Sequence, residues 1–188
     1  MSKGKLIVIS GASGVGKGTV LGIMMNKRKD LSFSVSATTR PPRPGEIDGV
    51  HYYFISREKF EEMIAQGAFL EYDAHADNYY GTPQAQAEEK RERGPVLLDI
   101  EPKGAKQVRA SVPDAELIFI MPPSMEELER RLRGRGTETE DSIQERLATA
   151  RQELAQQDKF TLKLVNDRVD TCADALYEAI CRRIGGAE

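Results

Sequence analysis

A chain of 188 residues with a formal net charge of −3 has room for one domain with a sizeable core, and too little positive charge to coat nucleic acid. Its composition, 39% hydrophobic and 30% charged, is that of an ordinary globular protein, and its longest apolar runs, LIVI at 6–9 and LIFIM at 117–121, are far too short to cross a bilayer. The opening MSKGK carries neither a secretory h-region nor a transit pattern, so the cytoplasm is the expected location.

Taken in order, KLIVIS at 5–10 is short, β-branched and continuous, which predicts a strand buried on both faces. GASGVGKGT at 11–19 follows, and the apolar residues Val20, Leu21, Ile23, Met24 and Met25 then predict a helix. Strand, glycine loop and helix is the order that a phosphate-binding loop requires. Residues 33–88 interrupt the rhythm with short alternating pieces (FSVSATTR, HYYFIS), a proline-rich turn and one helix with Phe60, Met63 and Ile64 inward. PVLLDI at 95–100, AELIFIM at 115–121 and TLKLV at 161–165 predict further strands, with a helix in KGAKQVRA between the first two. Ser124 and Glu127 form a capping box that opens a helix through about Arg133. Asp141 begins another, with Ile143, Leu147, Ala150 and Leu154 along one face. Asp170 opens a terminal helix with Ala173, Leu176, Tyr177 and Ile180 inward. Between the second and third of these four helices, GRGTETE at 134–140 is polar and glycine-flanked, as expected of a mobile flap.

This alternation predicts an α/β fold: a mainly parallel sheet with flanking helices, a small α+β insertion and a mobile lid. The expected division is a core of 1–32, 89–125 and 157–188, an insertion at 33–88 and a lid region at 126–156. Cys172 and Cys181 lie nine residues apart on one helix, about 900° of turn, so they face opposite sides and read as two small buried hydrophobes.

In the glycine loop, Gly11, Gly14 and Gly16 let backbone N–H groups converge on phosphate oxygens, and Lys17 adds a point charge for the distal phosphates. The usual magnesium-binding Ser or Thr after the lysine is replaced by Gly18, and the hydroxyl arrives one residue later at Thr19, from where it reaches the metal directly or through water. Asp99, at the end of PVLLD, reads either as an acid acting on Mg²⁺ or its waters, or as a strand-end turn residue. Arg40 and Arg43, separated by two prolines, read either as a rigid pair gripping one phosphate, with Tyr52 and Tyr80 as hydroxyl donors, or as solvated arginines of a surface loop.

GASGVGKGT, SATTRPPRPGEIDGVHYYF, FLEYDAHADNYYGTP, VLLDIEPKGAKQVR, RLRGRGTETEDSIQERL and LVND, in that order over about 5–184, resemble guanylate kinase, a nucleoside monophosphate kinase with a P-loop fold. The resemblance implies transfer of a phosphoryl group from ATP to GMP, and to dGMP, with Mg²⁺. It makes 33–88 the GMP-binding region, and ATP and GMP the small-molecule partners, with neither nucleic acid nor membrane involved. By resemblance Gly11, Ala12, Ser13, Gly14, Val15, Gly16, Lys17, Gly18 and Thr19 take the ATP phosphates, and Asn166 matches the adenine-side loop, unless it is a strand-to-helix cap. Arg40, Arg43, Tyr52 and Tyr80 match the clamp on the acceptor phosphate, with Glu46 positioning the arginines. Ser36, Glu71 and Thr82 match the guanine readers, and Glu101 stands where the family pattern has Asp. Arg135 and Arg146 match the flap arginines; Arg131 and Arg151 are weaker matches that also read as surface charge. Thr19 and Asp99 are the expected metal-side residues. Lys103 stands where an amide is usual, either pairing with Glu101 or pointing to solvent.

The chemistry of these residues agrees with that implication. Guanine offers N1–H and N2–H₂ as donors to a carboxylate and O6 as an acceptor for hydroxyls, whereas adenine reverses the N1 and position-6 pattern. A phosphate monoester acceptor needs no general base, so catalysis is positioning and charge neutralisation, with closure of insertion and flap to exclude water. Two rivals are a guanylate-kinase-like protein-interaction module, which usually has a degraded phosphate loop, and a kinase for another monophosphate or a phosphorylated sugar, against which Ser36, Glu71 and Thr82 speak together.

Overall fold

The computed structural model describes residues 3–27, 30–75, 77–134, 136 and 139–184. Strand β1 (Leu6–Gly11) is buried at every position, as its unbroken apolar run requires, and leads through the glycine loop into α1 (Lys17–Lys27). Three two-residue strands follow, β2 (Ser32–Phe33), β3 (Ala37–Thr38) and β4 (Tyr53–Phe54). Helix α2 (Arg57–Ala65) starts where the Ser56 side chain accepts the Lys59 N–H, a serine N-cap. Next come the hairpin strands β5 (Phe69–His75) and β6 (Asn78–Pro83), α3 (Gln84–Arg93) and β7 (Val96–Asp99). Helix α4 (Pro102–Ser111) uses its proline in the first turn, where no N–H is needed. Strand β8 (Glu116–Met121), α5 (Met125–Gly134), α6 (Glu140–Leu154), a 3₁₀ turn (Gln157–Lys159), β9 (Leu162–Val165) and α7 (Val169–Ile184) complete the chain.

A five-stranded parallel sheet has the order β2-β7-β1-β8-β9, and a separate mixed sheet has the order β4-β3-β6-β5. In the second sheet β3 pairs with β4 in parallel and with β6 antiparallel, and β5 and β6 form the hairpin. The α/β class expected from the alternation of elements is the one observed. The chain divides into two compact units, Met1–Leu6 with Asp30–Ala115, and Ile7–Lys29 with Glu116–Glu188.

In the first unit Phe60 is fully buried in a stack, 4.3 Å from the Phe69 ring and 5.1 Å from that of Tyr79, which seats α2 on the hairpin. Helix α4 is clasped to β5: the Tyr72 N–H donates to Gln107 Oε1, the Gln107 amide donates back to the Tyr72 carbonyl, and Lys103 pairs with Asp73. In the second unit Val20, Leu21 and Met24 of α1 are buried, and Lys27 of α1 pairs with Asp174 of α7. Phe119 and Phe160 pack at 4.9 Å in the same core. Among the described residues no helix is long and apolar enough to cross a membrane.

Five expectations are corrected. Of Phe60, Met63 and Ile64, expected inward on α2, only Phe60 is buried and the other two are half-buried. Helix α3 was not foreseen, because only Ala87 and Arg91 of its ten residues are buried and no apolar stripe marks it. On α6 the buried face continues through Glu153, not Leu154. Tyr177 of α7 is only half-buried, while Cys172 and Ala179 join Ala173, Leu176 and Ile180 inside. Cys181 is half-buried too, so only Cys172 behaves as a core residue, and burial pushes its thiol up to about 11.

Candidate active site

The residues expected to clamp a phosphate lie within the first unit. The chain leaves β3 at Thr38 and turns through Pro41, Pro42 and Pro44, so Arg40 and Arg43 sit on a stiff loop. Glu46 organises both. Its two carboxylate oxygens each accept from the Arg40 guanidinium at 2.6 Å, and one of them also accepts the Arg43 N–H at 2.7 Å. These bonds hold the Glu46 carboxyl down at about 2 and raise Arg40 above the usual guanidinium range. Both groups therefore keep their charges at any working pH. The Arg40 guanidinium lies 5.1 Å from the Tyr52 ring centroid, and Tyr52 meets Tyr80 edge-on at 6.1 Å. Burial, then the nearby Asp99 carboxylate, raises the Tyr52 phenol, so it stays a hydroxyl donor at neutral pH. The structure thus gathers Arg40, Glu46, Tyr52 and Tyr80 into one cluster, while the Arg43 side chain is exposed.

A second cluster lies on the hairpin. Glu71 on β5 faces Thr82 on β6, and the Thr82 hydroxyl donates to Glu71 Oε1 at 2.6 Å. The Glu71 residue is only 5% exposed. Burial pushes its carboxyl up to about 7, the Thr82 bonds oppose this, and the negative charges of Asp73 and Glu101 add to it. A carboxyl buried this deeply needs hydrogen-bond donors to carry its charge, and Thr82 supplies them from its hydroxyl and its backbone. Room for it comes from Gly104: a Cβ there would overlap Glu71 Oε2 and approach Cδ to 3.1 Å. Ser36 is half-buried just before β3, and Glu101 is exposed at the N-cap of α4 without a side-chain cap bond. Lys103 pairs with Asp73, which is neither of the two alternatives left open by the sequence.

Gly104 gives a direct test. Gly104→Ala fits the helix better by about 1 kcal/mol in propensity, yet it must drive the Glu71 carboxylate from its place. The expected result is an unchanged or raised Tm, a KM for ATP, the expected donor, within twofold of wild type and a KM for GMP, the expected acceptor, raised about tenfold; equal changes in both KM values would contradict the cradle.

The glycine loop and the residues that support it lie within the second unit. Gly14 (φ +80°) and Gly16 (φ +87°) take the left-handed backbone that bends residues 11–16 into a loop. A Cβ on Gly14 would come within 2.7 Å of the Leu132 side chain on α5, so the glycine also allows close packing. Asn166, 1% exposed, donates from its amide to the Val15 carbonyl at 2.8 Å. Its side chain therefore supports the phosphate loop, a role that the sequence, pointing to the adenine side or a cap, did not suggest. Arg131, which the sequence left as either a weaker flap match or surface charge, braces the segment that carries Asn166: it donates to the Asn166 and Asp167 carbonyls at 2.7 Å each, and to Glu127. Glu127 serves Arg130 and Arg131, while Ser124 supplies the cap by accepting the Glu127 N–H. Lys17 opens α1 and is half-buried, with Gly18 and Thr19 exposed beside it. Arg146 is half-buried on α6 and Arg151 exposed there; Arg135 lies outside the described residues.

A magnesium ion takes oxygen ligands and keeps several waters, relying on substrate phosphates rather than an all-protein cage. Each expected metal-side residue carries an oxygen donor suited to that habit: Thr19 a hydroxyl in the first turn of α1, and Asp99 a carboxyl at the end of β7. Among the described residues no cluster of three or more His, Cys, Asp or Glu offers a cage.

Comparison with known proteins adds the chemistry. The family model described as guanylate kinase matches residues 3–183. A guanylate kinase of Nostoc sp. is 51% identical over 178 residues, covering 94% of this chain and 89% of the relative. One from Rubrobacter xylanophilus is 47% identical over 189 residues, covering 100% and 99%. The crystal structure of guanylate kinase from Anaplasma phagocytophilum superposes with a TM-score of 0.79 at 29% identity, covering 100% of this chain and 89% of that one.

Proposed function

The chain belongs to the guanylate kinase family and phosphorylates GMP to GDP with ATP as donor, and we propose how its own residues divide that work. Glu71 accepts guanine N1–H and N2–H₂ with its carboxylate, while Thr82 and Ser36 serve as hydroxyl partners. The observation that carries this reading is the buried Glu71 carboxyl, held on one side by Thr82 and given space by Gly104. Glu101 adds a further acceptor at the pocket's edge. Arg40 and Arg43, with Tyr52 and Tyr80, clamp the GMP phosphate, and Glu46 fixes the Arg40 guanidinium and the Arg43 backbone before substrate arrives. Preset donors lose less entropy on binding than free ones.

On the donor side residues 11–19 cradle the ATP phosphates, and Lys17 neutralises charge as the phosphoryl group moves. Arg146, with Arg135, serves the transferring group; Asn166 holds the loop in shape. Magnesium, held by ATP oxygens with Thr19 and Asp99 directly or through water, would screen the phosphate charges and polarise the transferring group. GMP supplies its own ionised nucleophile, so no side chain needs to act as general base. The two phosphates must meet in line and away from water, which assigns 33–88 to GMP binding and 126–156 to a lid closing with both substrates bound.

A coupled assay with ATP and Mg²⁺ against GMP, dGMP, AMP, CMP and UMP tests the base assignment. GMP and dGMP should turn over best, since nothing in the proposed contacts reads the 2′-hydroxyl. AMP should be at least about 100-fold poorer in kcat/KM, because it leaves the Glu71 carboxylate unpaired. Activity highest on AMP would overturn it.

A further inference from the structure

Glu153 lies on the buried face of α6, one residue ahead of the leucine expected there, and is 9% exposed. A carboxylate that deep is tolerated only with good partners. Its Oε2 accepts the backbone N–H of Ser13 at 2.6 Å, and Ser13 is the third residue of the phosphate loop. A carboxylate accepting a backbone N–H makes one of the stronger kinds of hydrogen bond.

We propose that Glu153 is a positioning residue for ATP, the acceptor that holds the tip of the phosphate loop on α6. It works with two neighbours, each fastening a different loop residue. Gly14 packs against Leu132 of α5, and the Val15 carbonyl accepts from Asn166. Residues 13, 14 and 15 are thereby each tied to a separate segment of the same unit. A loop whose remaining N–H groups must converge on phosphate gains affinity by being held in shape beforehand. A carboxylate beside a polyphosphate repels it, so what Glu153 offers the loop is an acceptor oxygen at the right reach. Glu153 also stands seven residues after Arg146, about 700° of helix turn, so the two share one face of α6. The tie therefore sets the register of the helix that carries Arg146 against the loop that takes the phosphates.

This rests on residues 11–19 being the ATP loop, and two substitutions separate reach from charge. Glu153→Asp keeps the charge but is one methylene too short; Glu153→Gln keeps the reach and an acceptor oxygen. The expected result is an ATP KM raised about tenfold in E153D, within twofold of wild type in E153Q, and a GMP KM unchanged in both. Amide hydrogen exchange at Ser13 should be protected in wild type and E153Q and fast in E153D, a readout independent of turnover. Wild-type rates in E153D, an equal rise in GMP KM, or E153Q as impaired as E153D would overturn the proposal. Failure of wild type to bind an ATP analogue in a direct titration would instead remove the ATP-loop assignment itself.

Discussion

Glu71→Gln should weaken GMP by about 10–100-fold and at the same time make the protein more stable at pH 8. The first effect follows from the donors of guanine: the amide has one acceptor oxygen and turns an NH₂ towards the second donor, leaving it unpaired. The second follows from burial. Burial pushes the Glu71 carboxyl up to about 7, well above the ordinary carboxylate range, so the folded state holds its proton more tightly than the unfolded chain does. Stability from this group is fully present below the unfolded value and declines as pH rises towards 7, after which the whole cost of a buried carboxylate remains. A difference of that size corresponds to about 3 kcal/mol. Gln cannot ionise and escapes the cost, so chemical denaturation at pH 8 should show E71Q more stable by about 1–3 kcal/mol, with the gain shrinking below about 1 kcal/mol at pH 5. A pH-independent stability difference would mean that Glu71 is ionised freely in the folded protein. GMP removes the cost by supplying donors, so ligand should stabilise wild type more than the variant.

Lys17→Met should lower kcat by about 10²–10³ while leaving the fold and GMP affinity intact. One preset cation aimed at developing charge is commonly worth that much in a site where the chemistry is electrostatic. Lys17 stands at the first turn of α1, half-buried, and methionine fills similar volume in a helix, so the melting temperature should move little. Single-turnover measurements with saturating GMP check this. A loss confined to ATP KM, with kcat unchanged, would make Lys17 a ground-state binder only.

Much of the fold was legible in the sequence because its buried strands are short continuous apolar runs. The phosphate loop was legible because strand, glycines, lysine and helix occur in order. What stayed hidden has a common cause: polar side chains whose partners are distant in the chain. Glu153 and Arg131 occupy helix positions where charge ordinarily means solvent, yet one grips Ser13 and the other the carbonyls of Asn166 and Asp167. Helix α3 has almost no apolar face and is held instead by Arg91, which donates to the Gly4 carbonyl. The Lys103–Asp73 pair spans thirty residues and two elements, so no local pattern announces it. Gly104 looks like an ordinary helical glycine until the Glu71 carboxylate is found filling the space beside it.

The central claim is that an ionised Glu71 reads guanine, and the pH dependence of GMP binding tests it most directly. Calorimetric Kd values for GMP from pH 5.5 to 8.5, in wild type and E71Q, share the titration of the GMP phosphate, whose second pKa is about 6. Their ratio isolates Glu71. Wild type should gain affinity relative to E71Q as pH rises, levelling off above about 7, where the Glu71 carboxyl is ionised. Two parallel curves, with a constant ratio across the range, would contradict it.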